Sequence, residues 1–117
     1  MSDIDQLRKG STTLLILNLL SEEKMYGYKI MRELKKRSQG YFTMTAASLY
    51  PALHQLEQDG LVVGEWGQGD ERRRKYYTIT NKGRKVLQEN KSTWRTFVDN
   101  LFKTLSSPPT RLQDGEL

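Results

Sequence analysis

The chain has 117 residues, 36% hydrophobic and 28% charged, with a net charge of +5 and no cysteine. That length provides for one modest hydrophobic core and excludes a pair of enzymatic domains, and without Cys there is neither a disulfide framework nor a thiolate metal site. The charge is segregated: residues 24–37 hold six bases against Glu33, residues 70–85 hold seven against Asp70 and Glu71, and the remainder is net −5, so a fold that joins the two windows presents one cationic face to a polyanion.

Near the N-terminus, Asp3 and Asp5 stand where an export signal would carry Lys or Arg, and the apolar stretch up to Leu20 is interrupted by Asn18. Neither a signal peptide nor a membrane span is expected, and the chain is assigned to the cytoplasm. Residues 5–20 set Leu7, Leu14, Leu15, Leu17 and Leu20 at three- and four-residue spacings, which predicts a buried helix, with Gly10 and Ser11 marking a late start or an irregularity. After the polar break at residues 21–24, residues 27–38 place Ile30, Met31 and Leu34 on one side and Lys29, Arg32, Lys36 and Arg37 on the other, a short amphipathic helix with a cationic outer face. Gly40 supplies a C-terminal stop, residues 41–43 read as extended, and Thr45 is a good N-cap for a third helix reaching about Gln58. That helix turns Leu49, Leu53, Leu56 and Ala52 inward. Ser48, Pro51, His54 and Gln55 are left on a polar, almost uncharged outer face, and Pro51 removes one backbone hydrogen bond.

Residues 61–66 and 75–80 are rich in Val, Trp, Tyr, Ile and Thr and predict two strands, joined through the glycines of Gly67-Gln68-Gly69-Asp70. Arg72, Arg73, Arg74 and Lys75 make the hairpin tip the most cationic place in the chain. Thr80-Asn81 then offers an N-cap for a long helix over residues 81–105, about 37 Å at 1.5 Å per residue. Residues 106–117 have the polar, Pro-containing composition of a disordered tail. On the long helix Leu87, Trp94, Val98, Leu101 and Leu105 follow a coiled-coil seam flanked by Phe97 and Phe102, with no helix of equal length elsewhere to cover it. Burying even half of the Trp94, Phe97, Leu101 and Phe102 side chains against a second copy contributes on the order of 10 kcal/mol before entropy is deducted, so a homodimer is expected.

The expected fold is mostly α with a small β-hairpin: a winged helix-turn-helix over residues 1–80, a dimerisation helix over 81–105 and a tail over 106–117. The third helix is the candidate reader of the major groove of double-stranded DNA, presenting Thr45, Ser48, His54 and Gln55 to base edges, while the hairpin and second helix supply cations for phosphate. Three runs also carry a family resemblance: Tyr26-Gly27-Tyr28-Lys29-Ile30; Ser48-Leu49-Tyr50-Pro51-Ala52-Leu53-His54-Gln55-Leu56-Glu57-Gln58-Asp59-Gly60-Leu61; and Arg73-Arg74-Lys75-Tyr76-Tyr77-Thr78-Ile79-Thr80-Asn81-Lys82-Gly83. Taken in order, over about residues 7–105, the chain resembles the PadR family of bacterial transcriptional regulators. Its length and single long C-terminal helix resemble the short subfamily that includes a multidrug-responsive lactococcal regulator. The resemblance implies a dimeric repressor and backbone contacts to DNA from Tyr28, Tyr50 and Lys75. The chain departs from the family pattern at Tyr26, where His is frequent, and at Thr45-Ala46-Ala47-Ser48, where many relatives have Gly-Thr, so base preference does not carry over.

Blander readings stand beside these. A run such as Arg72–Lys75 is often only a solvated turn. One of Tyr76 and Tyr77 packs on the helices, leaving the other near phosphate. Trp66 reads as an ordinary packing residue, and His54 lacks the partners of a metal site or a catalytic triad. Trp94 reads as interface core, although two indoles across a two-fold axis could sandwich a small, flat, apolar effector, as the multidrug-responsive relative does on this helix. No phosphate-binding Gly-Lys-Ser/Thr loop or Gly-x-Gly-x-x-Gly order occurs, so neither an enzyme nor a cofactor is expected. The rival reading is a winged-helix module that docks an acidic protein and does not bind DNA.

Overall fold

A computed structural model describes residues 3–69 and 73–108, the side chains from residue 10 onward. In chain order it contains α1 (Asp3–Glu22), β1 (Met25–Tyr26), α2 (Gly27–Arg37), α3 (Ala46–Gln58), β2 (Val62–Trp66), β3 (Lys75–Ile79) and α4 (Asn81–Ser106). Arg72 and residues 109–117, with most of the expected tail, lie outside the described residues.

Helix boundaries follow local chemistry. Thr45 caps α3 by accepting the Ser48 amide on Oγ1 at 3.2 Å, and Thr80 caps α4 by accepting the Gly83 amide at 3.0 Å. At the end of α2, Gly40 adopts φ +85° and its amide donates back to the Lys35 carbonyl at 2.7 Å. The Ser38 hydroxyl accepts the Phe42 amide at 2.8 Å, which holds the chain against the helix end. Tyr41 and Phe42 are therefore bends, and residues 41–43 form no strand, against the extended segment expected from sequence. The helix α1 is longer than expected and its backbone runs through Gly10 and Ser11 without a break.

The hairpin is part of a three-stranded antiparallel sheet in the order β1-β3-β2, one strand more than the sequence indicated. In β1, Met25 pairs with Tyr77 and Tyr26 with Tyr76, so the start of α2 is fastened to the wing. The register of β2 on β3 places Val62 opposite Ile79, Gly64 opposite Tyr77 and Trp66 opposite Lys75. These six share one face of the hairpin, because partners across an antiparallel ladder and alternate residues point the same way.

The core joins Ile16, Leu17, Leu19 and Leu20 of α1, Ile30 and Leu34 of α2, and Leu49, Leu53 and Leu56 of α3 to Met25, Leu61, Val62, Tyr77 and Ile79. Leu87 belongs to it too, 1% exposed, which corrects its assignment to the dimer seam: the first turns of α4 are anchored within the protomer. The helix α1 runs antiparallel to this part of α4, with Arg84 Nη1 donating to the Ser21 carbonyl at 3.4 Å at one end. At the other, Trp94 lies over Gly10, where a Cβ would touch its Cζ2 at 3.8 Å. The long helix, 26 residues, is thus covered over its first half by the shorter α1, 20 residues. Beyond Trp94, its residues Phe97, Val98, Leu101, Phe102 and Leu105 are exposed.

Candidate nucleic-acid interface

The start of α2 lies beside the wing. Its N-cap, Tyr26, has no side-chain hydrogen bond to the first turn, and no acidic residue sits in that turn, so the positive end of the helix is not neutralised locally. The β1–β3 pairing sets this helix end against the wing. Tyr26 and Tyr76 meet edge to face at 5.5 Å, with Lys24 over the Tyr76 ring at 5.5 Å and Arg74 over the Tyr26 ring at 4.4 Å. Arg32 covers the Tyr28 ring at 5.9 Å. Cations and rings thus alternate from one basic window into the other.

On the inner face of the wing, Lys75 is held by three neighbours. Its Nζ pairs with Glu57 Oε1 at 3.2 Å and lies 5.5 Å from the Tyr77 ring, while its stem crosses Gly64, where any side chain would collide with it. Tyr77 is 5% exposed, and burial pushes its phenol above the usual tyrosine range. It is the packing member of the tyrosine pair, and Tyr76 is half-buried at the surface.

Tyr28, Tyr50, Arg73, Arg74 and Lys75 line a single cavity of about 350 Å³, with Gly27 and Trp66. All three residues that the family resemblance assigned to backbone contact are brought together there. Tyr50 reaches it because Gly27 has no side chain; a Cβ at residue 27 would fall within the Tyr50 phenol. Lys29 lies to one side, its ammonium bound to Glu23, which raises its pKa.

The convergence of the basic windows is partial. Residues 24–28 and 73–75 meet, whereas Lys82, Arg84 and Lys85 lie at the other end of β3, with Lys82 donating to the Asp59 carbonyl at 2.8 Å. Arg37 is engaged by Glu22 and Glu33, which raise its pKa and offset its charge, while Lys35 and Lys36 stay exposed in the same turn.

The outer face of α3 is also rearranged relative to the sequence reading. Pro51 and His54 are exposed opposite the core-facing leucines, as expected. The Thr45 and Ser48 hydroxyls are engaged with each other at 3.1 Å in the helix cap, and the Gln55 amide donates to Asp59 Oδ1 at 3.0 Å. Ser48 and Gln55 turn toward a second groove of about 760 Å³, shared with Thr12 and Leu15 of α1 and with Phe42 and Met44. The most outward line of α3 runs instead through Ala47, Pro51, His54 and Gln58, all exposed. Sequence reasoning passed over Ala47 and Gln58; the 3.6-residue period about Leu49, Leu53 and Leu56 contained the signal.

This is the arrangement of a winged helix, with an exposed outer face on α3 and a cationic, aromatic wing base. A family model for PadR-like transcriptional regulators matches residues 16–89. The chain belongs to the PadR-like family of transcriptional regulators. Members of this family are DNA-binding regulators rather than enzymes. The PadR-like chain is 31% identical over 86 residues to the transcriptional regulator Rv3488 of Mycobacterium tuberculosis, covering 74% of this chain and 78% of that one. A crystal structure of a PadR family regulator from Eggerthella lenta superposes with a TM-score of 0.77 at 34% identity, covering 88% of each chain. A PadR-like regulator of Bacillus cereus gives 0.77 at 30% identity, over 88% of this chain and 99% of that one. Among the described residues no helix of this PadR-like protein is long and apolar enough to cross a membrane.

Proposed function

We propose that this PadR-like protein is a homodimeric repressor that binds a pseudo-palindromic operator in the bacterial cytoplasm. The carrying observation is the cavity at the start of α2, where Tyr28, Tyr50, Arg73, Arg74 and Lys75 converge beside the free face of α3. In this reading Arg72–Lys75, Lys29 and the two tyrosines seat phosphates, Pro51 and His54 lie over base edges, and Thr45, Ser48 and Gln55 complete the helix face. The exposed stripe from Phe97 to Leu105 packs against the same stripe of a second copy, setting two heads about one helical turn of DNA, or a small multiple, apart.

Trp94, half-buried over Gly10 and edge to face with Phe97 at 6.2 Å, borders that stripe. A small planar apolar effector seated between two such indoles changes the spacing of the heads and weakens DNA binding, as the resemblance to the multidrug-responsive relative implies. The cation cluster by itself also fits an acidic protein partner, but family membership favours DNA.

The test is titration of the gene's own upstream DNA at several salt concentrations. The reading expects a steep log-log salt dependence, about −0.9 per phosphate neutralised, and preference for one palindrome over random duplex. Flat salt dependence with no sequence preference would overturn it.

A further inference from the structure

Trp66 was expected to be an ordinary packing residue, and the structure gives it the opposite setting: it is 65% exposed, the most exposed aromatic side chain among the described residues. Its position on the hairpin explains how. It shares a face with Val62, Gly64, Lys75, Tyr77 and Ile79, and this face is core at its base, where Val62 and Ile79 are buried. Toward the tip the burial falls away, through half-buried Gly64 to exposed Trp66. The same face then becomes one wall of the cavity that Tyr28 and Tyr50 line from the helical side. An indole left open here is a large apolar surface that none of the described residues covers.

The surroundings select the occupant. Arg73, Arg74 and Lys75 share the cavity with Trp66, so the same surface of a second copy would bring like charges together, whereas a nucleic-acid backbone alternates anionic phosphates with apolar deoxyribose rings. A ring set among cations complements that alternation. We infer that Trp66 is a DNA-contacting residue whose contribution is non-ionic: it covers the deoxyribose of the strand whose phosphates the wing cations neutralise. This rests on the DNA-binding reading of the site and adds to it a contact that neutralises no phosphate.

A non-ionic contact has a distinct signature. Replacing Trp66 removes affinity for every duplex sequence alike and leaves the slope of log K against log salt unchanged, whereas Lys75→Ala makes that slope less negative by about 0.9. The experiment measures binding of the full chain to operator and to random duplex over a range of salt for wild type, Trp66→Ala, Trp66→Phe and Lys75→Ala, with thermal unfolding of each. Expected are about tenfold weaker binding for Trp66→Ala on both duplexes at every salt, a smaller loss for Trp66→Phe, an unchanged unfolding midpoint for both, and duplex-induced quenching of indole fluorescence that disappears in Trp66→Phe. Wild-type affinity in Trp66→Ala, or a slope change as large as that of Lys75→Ala, overturns the inference and leaves the DNA reading standing. Absence of salt-dependent duplex binding in the wild type overturns the DNA reading and this inference together.

Discussion

Glu57, near the end of α3, holds Lys75 of the wing at 3.2 Å across the bare backbone of Gly64. The pair ties α3 to β3, and both partners are about one-third exposed or less, with side-chain exposures of 32% for Lys75 and 27% for Glu57. A partly exposed pair of this kind contributes at most about 1 kcal/mol to stability. Lys75→Ala is therefore expected to lower the unfolding free energy by less than about 1 kcal/mol in denaturant titration. The same variant weakens binding to operator and random duplex by similar factors, because a phosphate contact carries no sequence information. Equal affinity of wild type and variant for DNA would remove Lys75 from the interface.

Gly27 tests whether Tyr50 must stand where it does. A methyl group at residue 27 occupies the space of the Tyr50 phenol, which is the far end of a mobile, exposed side chain and can swing away. Gly27→Ala should leave the unfolding midpoint within a few degrees of wild type while weakening DNA binding, since the ring can no longer lie at the start of α2. Unchanged DNA affinity in a folded Gly27→Ala protein would show that Tyr50 has no part in the contact.

Gly83 presents the contrasting case. A Cβ there falls against the Leu61 carbonyl and Ile79 Cγ1, neither of which can swing clear as a flexible terminus would. Gly83 is buried in the first turn of α4, and the Thr80 cap depends on its amide. Gly83→Ala should cost about 1–3 kcal/mol by overpacking, read as a fall in denaturation midpoint at constant slope. The gain expected from Ala over Gly inside a helix, about 1 kcal/mol, is smaller than that.

Much of this architecture was legible in the sequence, for identifiable reasons. The Thr45 and Thr80 caps, the leucine period of α3 and the Gly-rich turn are local signals, and each element they mark is present. What escaped is long-range. A two-residue strand such as β1 has no pattern of its own and exists because Met25 meets Tyr77, 52 positions away. Glu57 and Lys75 are likewise joined only by the fold, and the exposure of Trp66 depends on what the packed protomer leaves uncovered at the tip of the hairpin face. Leu87 satisfies the heptad spacing of the seam, yet the antiparallel course of α1 along α4 places it in the core.

Glu22, at the end of α1, meets the Arg37 guanidinium fork at 2.7 and 2.8 Å, joining the last turn of α2 to that of α1. The Arg37 hydrogen bond holds the Glu22 carboxyl below its ordinary value of 4.5. A carboxyl whose folded-state pKa is depressed adds stability that is complete above its unfolded value and is lost as pH falls through the folded value. Carboxyl NMR titration should accordingly show Glu22 titrating below 4.5 in wild type and moving upward in Arg37→Gln. The stability difference between the two proteins should shrink as pH falls below about 4.5. Identical Glu22 titration in both would show that the fork is absent in solution.

The exposed half of α4 makes the strongest demand on assembly. Phe102 and Leu105 are 60% and 68% exposed, and with Phe97, Val98 and Leu101, also exposed, they continue the line of Trp94. A second copy aligned on the same stripe covers it symmetrically, and each large side chain so buried contributes about 1.5–3 kcal/mol. Leu101→Glu places a charge in the middle of that seam at a position that is solvent-exposed in the single protomer, so the fold itself should be retained. Sedimentation should then show a dimer for wild type and a monomer for Leu101→Glu at equal helix content by circular dichroism. The monomer should bind a half-site about as well as wild type does but lose the advantage of the full palindrome, because two heads no longer engage as one ligand. A dimeric Leu101→Glu protein, or a wild type that sediments as a monomer at micromolar concentration, would exclude this stripe as the dimer interface.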